Sequence, residues 1–419
     1  MADRLVVIVG GGPAGLAAAC RLRELGVSDV LVVERESEAG GIPRHSDHIG
    51  YGIKDLHRMM TGPRYAAAWR ERAARVGVEV RTSSTVTGWD DGLSVAITSR
   101  DGLTVERASA IVLATGCRER PRAARLVPGD RPAGVLTTGQ LQQLVHLHHR
   151  TPGKRAVIVG AEHVSYSAAL TLARSGCQTV AMVTEHPRHT SFRAFDAPAR
   201  LRFRFPVVTN ATVTDIRGEE RVAEVEVTDR WSGAAQVFEC DTVVFTGDWI
   251  ADYELVRRHG LDVDAHSTGI SVDGGMRSTV PGVFAAGNVL HPAETADACT
   301  EDGRHVAQSV AGWLATGSWP TRAVPISVES PLLWVSPQRI TDHQAPARKR
   351  LVLRASAFSR APQLLVSQGD KELWHGRVPW LLPDRPVYVP TRWLADVDLS
   401  HQAAPVVIRS LASPVATNS

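Results

Sequence analysis

Six consecutive residues near the start, Gly10-Gly11-Gly12-Pro13-Ala14-Gly15, follow the spacing G-x-G-x-x-G. That spacing suits the holding of a pyrophosphate. Gly10 permits a tight turn, Gly12 has no Cβ to keep phosphates off the backbone, and Gly15 lets a helix close on a strand. Pro13 and Ala14 open that helix, whose free N–H groups and dipole favour an anion. Glu34 stands 24 residues after Gly10, in position to accept hydrogen bonds from ribose hydroxyls, with Arg35 beside it.

A second group of reactive side chains crowds the stretch from Gly40 to Gly52: Arg44, His45, Asp47, His48 and Tyr51. Histidine moves protons near neutral pH, so His45 and His48 are the candidates for catalysis. The alternative is that both order the loop or contact a bound phosphate. Asp55, His57 and Arg58 read as a following helix with a structural role. His146, His148 and His149 are too crowded for one helical face and lack a flanking carboxylate or cysteine. They read as a solvated helix end, and no metal site is expected. The five cysteines stand at 20, 117, 177, 240 and 299 without a C-x-x-C pair. This excludes a close-spaced redox disulfide and a Cys-rich iron–sulfur site.

These residues need elements to position them. Leu5–Val9 reads as a buried strand, Ala14–Leu25 as a helix closed by Gly26, and Val30–Val33 as the next strand. This βαβ pattern recurs with Ala156–Val159, Gly160, a helix over Ser165–Ser175 and the strand Thr179–Val183. Between them, Val78–Arg81 and Ser94–Thr98 alternate, and the Asp-Gly pairs at 91–92 and 101–102 are hairpin signals. After Trp319-Pro320, prolines become frequent, period-two runs replace helical ones, and Trp334, Trp374, Trp380 and Trp393 appear. A β-rich domain is expected from about residue 325, its tryptophans forming either a small core or an interface. At 419 residues the chain has room for two or three domains, and its 43% hydrophobic and 22% charged content is that of a globular protein. A net charge of +3 with scattered arginines argues against a nucleic-acid partner. No apolar run is long enough for a membrane span or reads as a signal peptide, so the cytoplasm is the expected location.

Further motifs carry a family resemblance. Gly40-Gly41 follows Glu34, Ile111–Gly116 reads Ile-Val-Leu-Ala-Thr-Gly, and Val283–Asn288 reads Val-Phe-Ala-Ala-Gly-Asn after Ser278-Thr279-Val280-Pro281-Gly282. Over about residues 4–320 the chain resembles the flavoproteins of the pyridine-nucleotide-disulfide oxidoreductase superfamily. The resemblance implies an α/β fold with two Rossmann-like dinucleotide-binding domains, the first discontinuous, plus the small C-terminal β-rich domain. The expected divisions are 1–120 and 246–322 for the FAD domain, 121–245 for an NAD(P)-binding-like domain, and 325–419 for the last. FAD is the implied cofactor. Besides the glycine turn, Glu34 and Arg35, its implied contacts are Gly41, Ile42, Arg44, His45, Ala114, Thr115, Gly116, Gly287, Asn288 and Thr295. The family usually has Gly-Asp where this chain has Gly287-Asn288. Glu294–Leu314 resembles the helix that points its N-terminus at the flavin, where Glu294, Thr295 and Asp297 either reach the ring or cap the helix. Cys117 either approaches the flavin or is a small buried residue. Thr246-Gly247-Asp248-Trp249 resembles the return crossing between domains, with Asp248 and Trp249 on a substrate or partner surface.

The second turn departs from the family. It reads Gly160-Ala161-Glu162-His163-Val164-Ser165, with Glu162 where a pyrophosphate would approach, so sterics and charge both oppose it. NAD(P)H binding is therefore doubtful; the alternative is that Glu162 and His163 belong to a different pocket. Ala114–Pro121 resembles a stretch of the larger subunits of opine oxidases, hydrogen cyanide synthase and hydroxyproline dehydrogenases. That implies a small-molecule substrate, an amino acid, amine or opine, and a second oxidoreductase subunit or electron carrier as partner. A stand-alone NAD(P)H-dependent flavin reductase and a non-catalytic FAD-binding scaffold are the alternatives.

Overall fold

A computed structural model of the chain describes residues 6–90, 92–191, 205–256 and 259–411. The chain opens with β1 (Val6–Val9), α1 (Pro13–Glu24) and β2 (Val30–Val33), then α2 (Gly62–Arg75), β3 (Glu79–Arg81) and β4 (Ala110–Leu113). A second unit holds β5 (Val135–Thr137), α3 (Thr138–Gln142), β6 (Arg155–Val159), α4 (His163–Arg174), β7 (Gln178–Val183), β8 (Val207–Val208) and β9 (Thr242–Phe245). The chain then returns to the first unit with β10 (Val283–Ala285) and α5 (Ala296–Thr316).

Two parallel sheets result, in the orders β10-β4-β1-β2-β3 and β5-β9-β6-β7-β8. Every residue of β1, β2, β4 and β9 is buried, the continuous apolar reading expected of strands covered on both faces. Each sheet has a three-stranded antiparallel meander inserted before its later strands. Ser84–Trp89, Ser94–Ser99 and Gly102–Arg107 form one; Ala211–Arg217, Glu224–Asp229 and Ala235–Glu239 form the other. The duplication read from the two βαβ openings thus extends to the meanders. Cys117–Glu119 pairs antiparallel with Trp249–Ala251 where the chain leaves and re-enters the first unit.

From Val324 onward the described chain is strand and turn apart from two short 3-10 segments. Its apolar core takes Leu351, Leu353, Val389 and Trp393, and Trp334 is buried as well. Trp380 is exposed. Residues 55–58, expected to be helical, form turns, with His57 at φ 53. A left-handed residue cannot continue a helix. Residue 91 of the first expected Asp-Gly hairpin signal lies outside the described residues. Among the described residues, no helix is long and apolar enough to cross a membrane.

Candidate functional site

The glycine turn joins β1 to α1. Gly10 has φ 106, and a Cβ there would strike the carbonyl of Ala114 at the end of β4. A Cβ on Gly15 would strike the Gly10 carbonyl, so Gly15 serves the close packing of helix on strand. Gly12 differs: its Cβ would meet nothing nearer than Gly41 Cα at 4.0 Å. Gly12 is also the N-cap of α1 and supplies no side-chain cap, which leaves the helix N–H groups for an anion. Glu34 is buried at 6% exposure. Its Oε2 accepts from Gly11 N–H at 2.8 Å and its Oε1 from Glu36 N–H at 2.8 Å. A carboxylate has further lone pairs, so a ribose hydroxyl remains within its capacity.

This turn opens into a cavity of about 2040 Å³, well beyond the roughly 300–1,000 Å³ of an ordinary ligand pocket. Of the residues singled out in the sequence, Gly10, Gly12, Pro13, Ala14, Glu34, Arg35, Gly41, Ile42, Arg44, His45, His48, Ala114, Thr115, Gly116, Asn288 and Thr295 line it. Gly15 and Gly287 sit behind the lining, and a Cβ on Gly287 would crowd Ala14 Cβ at 2.8 Å. Open space at Gly12, uncapped donors on α1 and the Glu34 carboxylate together fit the diphosphate and ribose of FAD.

The loop after Gly40 is held by its own chemistry. Asp297, in the first turn of α5, accepts from Gly52 N–H at 2.9 Å and from Lys54 N–H at 2.8 Å. Asp55 accepts from the hydroxyls of Tyr65 at 2.6 Å and Thr300 at 2.8 Å. His48 donates from Nδ1 to Ile49 O at 2.9 Å, and its Nε2 meets Ser46 Oγ at 3.0 Å. His45 is buried, and burial with the Arg44 charge pulls its pKa down to about 4, so it is neutral at pH 7. Thr295 caps α5 through Ala298 N–H, and the Asn288 amide clasps Glu294 on both sides, at 3.2 and 2.7 Å. Cys117 lines the cavity with its thiol pushed up by burial. Asp248 and Trp249 line it too, Asp248 pairing with Arg120 at 3.0 Å.

At the second turn, Glu162 folds back over its own glycine. A Cβ on Gly160 would lie 2.7 Å from Glu162 Oε2, and one on Gly247 2.8 Å from Oε1. The carboxylate thus lies between two backbone turns. Oε1 is buried without a hydrogen-bond partner. Burial, and then the charge of Asp384, raise the Glu162 pKa to about 7.

Asp384 belongs to the C-terminal domain and was not found in the sequence. That domain supplies a whole wall of the cavity, including Trp334, Arg354, Trp380, Asp384 and Tyr388. Asp384 accepts from Thr190 Oγ1 at 3.2 Å and lies 3.6 Å from His186 Nε2. Burial opposes its charge, yet His186 and Arg354 hold its carboxyl below the usual range. Tyr388 donates to Glu294 Oε2 at 3.2 Å, and Arg354 donates to Pro292 O at 2.7 Å. Only the high density of tryptophan and proline after residue 319 marked this wall in advance.

Comparison with known proteins agrees with this architecture. The family model described as pyridine nucleotide-disulphide oxidoreductase matches residues 4–303. Ferredoxin--NADP reductase of Ignicoccus hospitalis is 27% identical over 328 residues, covering 75% of this chain and 100% of that protein. Thioredoxin reductase of Treponema pallidum is 27% identical over 326 residues, 75% of this chain and 98% of that one. Sarcosine oxidase subunit alpha of a Corynebacterium species is 28% identical over 269 residues, 58% of this chain but 26% of that subunit. Among solved structures, thioredoxin reductase of T. acidophilum superposes with a TM-score of 0.63 at 23% identity, over 74% of this chain and 98% of that one. The matches are not specifically to subunits of the opine-oxidase type; the sarcosine oxidase subunit is a partial match. The first of these relatives is by its name an NADP enzyme, so the comparisons lend no support to the expected loss of NAD(P)H binding. Members of the matched family are FAD-binding oxidoreductases. With a match over residues 4–303, the chain belongs to the pyridine nucleotide-disulphide oxidoreductase family, as an FAD-dependent oxidoreductase whose five cysteines are all free.

Proposed function

We propose that this chain is a flavin subunit of a heteromeric dehydrogenase or oxidase acting on an amino acid, amine or opine-like substrate. Its electrons pass to or from a second oxidoreductase subunit or electron carrier. The observation that carries this reading is Glu162, whose side chain fills the niche at the second glycine turn. The partial match to a sarcosine oxidase subunit supports the substrate class and the heteromer.

In this reading bound FAD supplies two-electron acceptance from the substrate. The turn from Gly10 to Gly15 at the N-terminus of α1 would hold the diphosphate, and Glu34 and Arg35 would serve the ribose. Gly41, Ile42, Arg44 and Ala114 to Gly116 would help to hold the cofactor, and Asn288 fixes Glu294 beside Thr295 at the cavity wall. The positive end of the α5 dipole favours negative charge there. His45, held neutral, donates or accepts a hydrogen bond rather than storing a proton. His48 keeps the loop in shape through Ser46 and Ile49.

A stand-alone NAD(P)H-dependent reductase is the second reading, favoured by the full-length matches to proteins named as reductases. Anaerobic titration of the FAD-loaded protein with NADH and with NADPH separates the two. The visible flavin band is expected to persist with both. Rapid bleaching by either would overturn the heteromeric reading and establish the reductase.

A further inference from the structure

The loop that follows the first glycine turn carries a hairpin with apolar side chains on two sides. Ile49–Tyr51 pairs antiparallel with Met60–Thr61, and the chain turns between them. Gly52 closes that turn at φ 77. Its carbonyl accepts from Leu56 N–H at 3.3 Å and Arg58 N–H at 2.9 Å, and its own N–H is taken by Asp297. Asp55, the acid of this hairpin, is buried and engaged by Tyr65, Trp69 and Thr300. Tyr51, Leu56 and Met60 pack against the core of the first unit. Ile49, Ile53 and Met59 do not, and stand 65%, 47% and 67% exposed. Their cationic neighbours Lys54, Arg58 and, at the start of α2, Arg64 are exposed too.

Exposed aliphatic side chains are ordinary when scattered singly, but several on one short hairpin mark a contact surface. Here the inward set already serves the fold, and two carboxylates fix the turn that displays the outward set. The exposed charges beside that set are all positive. An apolar centre with a cationic rim has the anatomy of a protein interface and steers an acidic partner toward it. Ile49, Ile53 and Lys54 line the cavity that fits FAD, whereas Arg58 and Met59 lie outside its lining, so the patch runs from the mouth of the cavity onto the outer surface. We propose that this hairpin is the docking surface for the acidic face of a small one-electron carrier protein. The proposal rests on the electron-carrier reading of the function and says where that partner sits and what charge it bears. In the exchange, two reduced carriers each pass one electron to FAD with uptake of two protons; flow toward the carrier reverses the same balance.

The test uses the FAD-loaded full chain, with an acidic [2Fe–2S] ferredoxin as probe and a basic cytochrome c as the probe of opposite charge. Calorimetric titration of the oxidised proteins is expected to show ferredoxin binding that weakens as salt is raised, because exposed charges are screened. At low salt cytochrome c is expected to bind at least about tenfold more weakly than ferredoxin. Lys54→Glu with Arg58→Glu is expected to weaken ferredoxin binding at least about tenfold at low salt, and to slow reduction of the flavin by reduced ferredoxin in anaerobic stopped flow by a similar factor. Ile53→Ser with Met59→Ser is expected to weaken binding at least about tenfold at low and high salt alike, since its share is apolar burial. Retained flavin absorbance shows that each variant is folded. Equal binding of the two probes, no binding of ferredoxin, or unchanged binding in either double variant would overturn the proposal. So would a parent chain that self-associates in sedimentation velocity and becomes monomeric with Ile53→Ser and Met59→Ser, because a second copy would then cover the patch. Binding is read without nicotinamide, so bleaching by NADH would sink the heteromeric reading and leave the docking surface standing. Persistence of the flavin band with ferredoxin binding indifferent to the hairpin would do the reverse.

Discussion

A carboxyl buried against two backbone turns faces a choice that water would not impose on it. Ionised, Glu162 has one oxygen without a donor and the charge of Asp384 nearby, and burial with that charge outweighs the hydrogen bonds from Thr246 and Ser165 that favour the carboxylate. Its pKa accordingly rises from 4.5 to about 7. The sign follows from linkage: the folded state binds the proton more tightly than the unfolded one, so the group's contribution to stability is complete below the unfolded value and is lost as pH rises through about 7. Glu162→Gln removes that dependence. The melting temperature of the variant is expected to match the parent near pH 5 and to exceed it by a few degrees near pH 8, read by scanning calorimetry at both. A variant that melts lower at pH 8 would show that the charged form is satisfied. Glu162→Gly tests the same niche by size. It restores the second glycine of the turn, and NADH is expected to bleach the variant's flavin faster than the parent's in stopped flow. An unchanged rate would mean that other walls, Asp384 among them, also close the site.

At the scale of elements, the first unit depends on how closely α5 lies against α1. Gly303 is the point of closest approach: a Cβ there would strike the backbone carbonyl of Ala14 and come within 3.0 Å of Ala18 N. Backbone atoms cannot swing aside, so Gly303→Ala is expected to push the helices apart at a cost of about 1–3 kcal/mol. It should also disturb the turn that begins α1 and loosen FAD. Gly312→Ala on the same helix is the control, since its Cβ would meet nothing within 4 Å. Removing an interior glycine there is expected to stabilise by up to about 1 kcal/mol. Calorimetry with absorbance of released flavin reads both; equal behaviour of the two variants would deny the contact. The contrast also shows what is legible in a sequence. The strands β1, β2 and β6 and the turn at Gly10 are local patterns, readable because apolar runs and glycine spacings are short-range. Gly303 is one glycine inside a helical pattern, and nothing in its neighbours says that α1 lies against it. The misread helix at residues 55–58 has the same origin. Its polar residues fit a helix locally, but His57 is left-handed, and Asp55 points inward to Tyr65 and Thr300 on two other helices.

The C-terminal domain acts on the whole molecule by holding both parallel-sheet units at once. On the first, Arg348 lies 3.5 Å from Asp302 of α5, and Tyr388 and Arg354 reach the segment before it. On the second, Asp384 takes Thr190, and Phe358 packs edge-on against His186 at 5.7 Å with the Arg188 guanidinium 4.6 Å from its ring centroid. The contact between Thr190 and Asp384 spans 194 positions, which is why composition foretold a domain there but not its purpose. A body attached to two others restrains their relative movement, and here the restraint also walls the cavity. Phe358 is the contact to cut, because it touches the second unit and leaves the lining of the cavity intact. A cation–π contact at a partly exposed site contributes about 0.5–1 kcal/mol, so its loss shifts a local opening equilibrium by up to about fivefold. Phe358→Ala is therefore expected to speed amide hydrogen exchange across residues 184–191 by up to that factor while α1 and β1 exchange as before. Faster exchange throughout would indicate general destabilisation. Unchanged exchange at 184–191 would show that Thr190 and Asp384 hold the second unit without the aromatic contact, and the same measurement on Asp384→Asn would then locate the clamp.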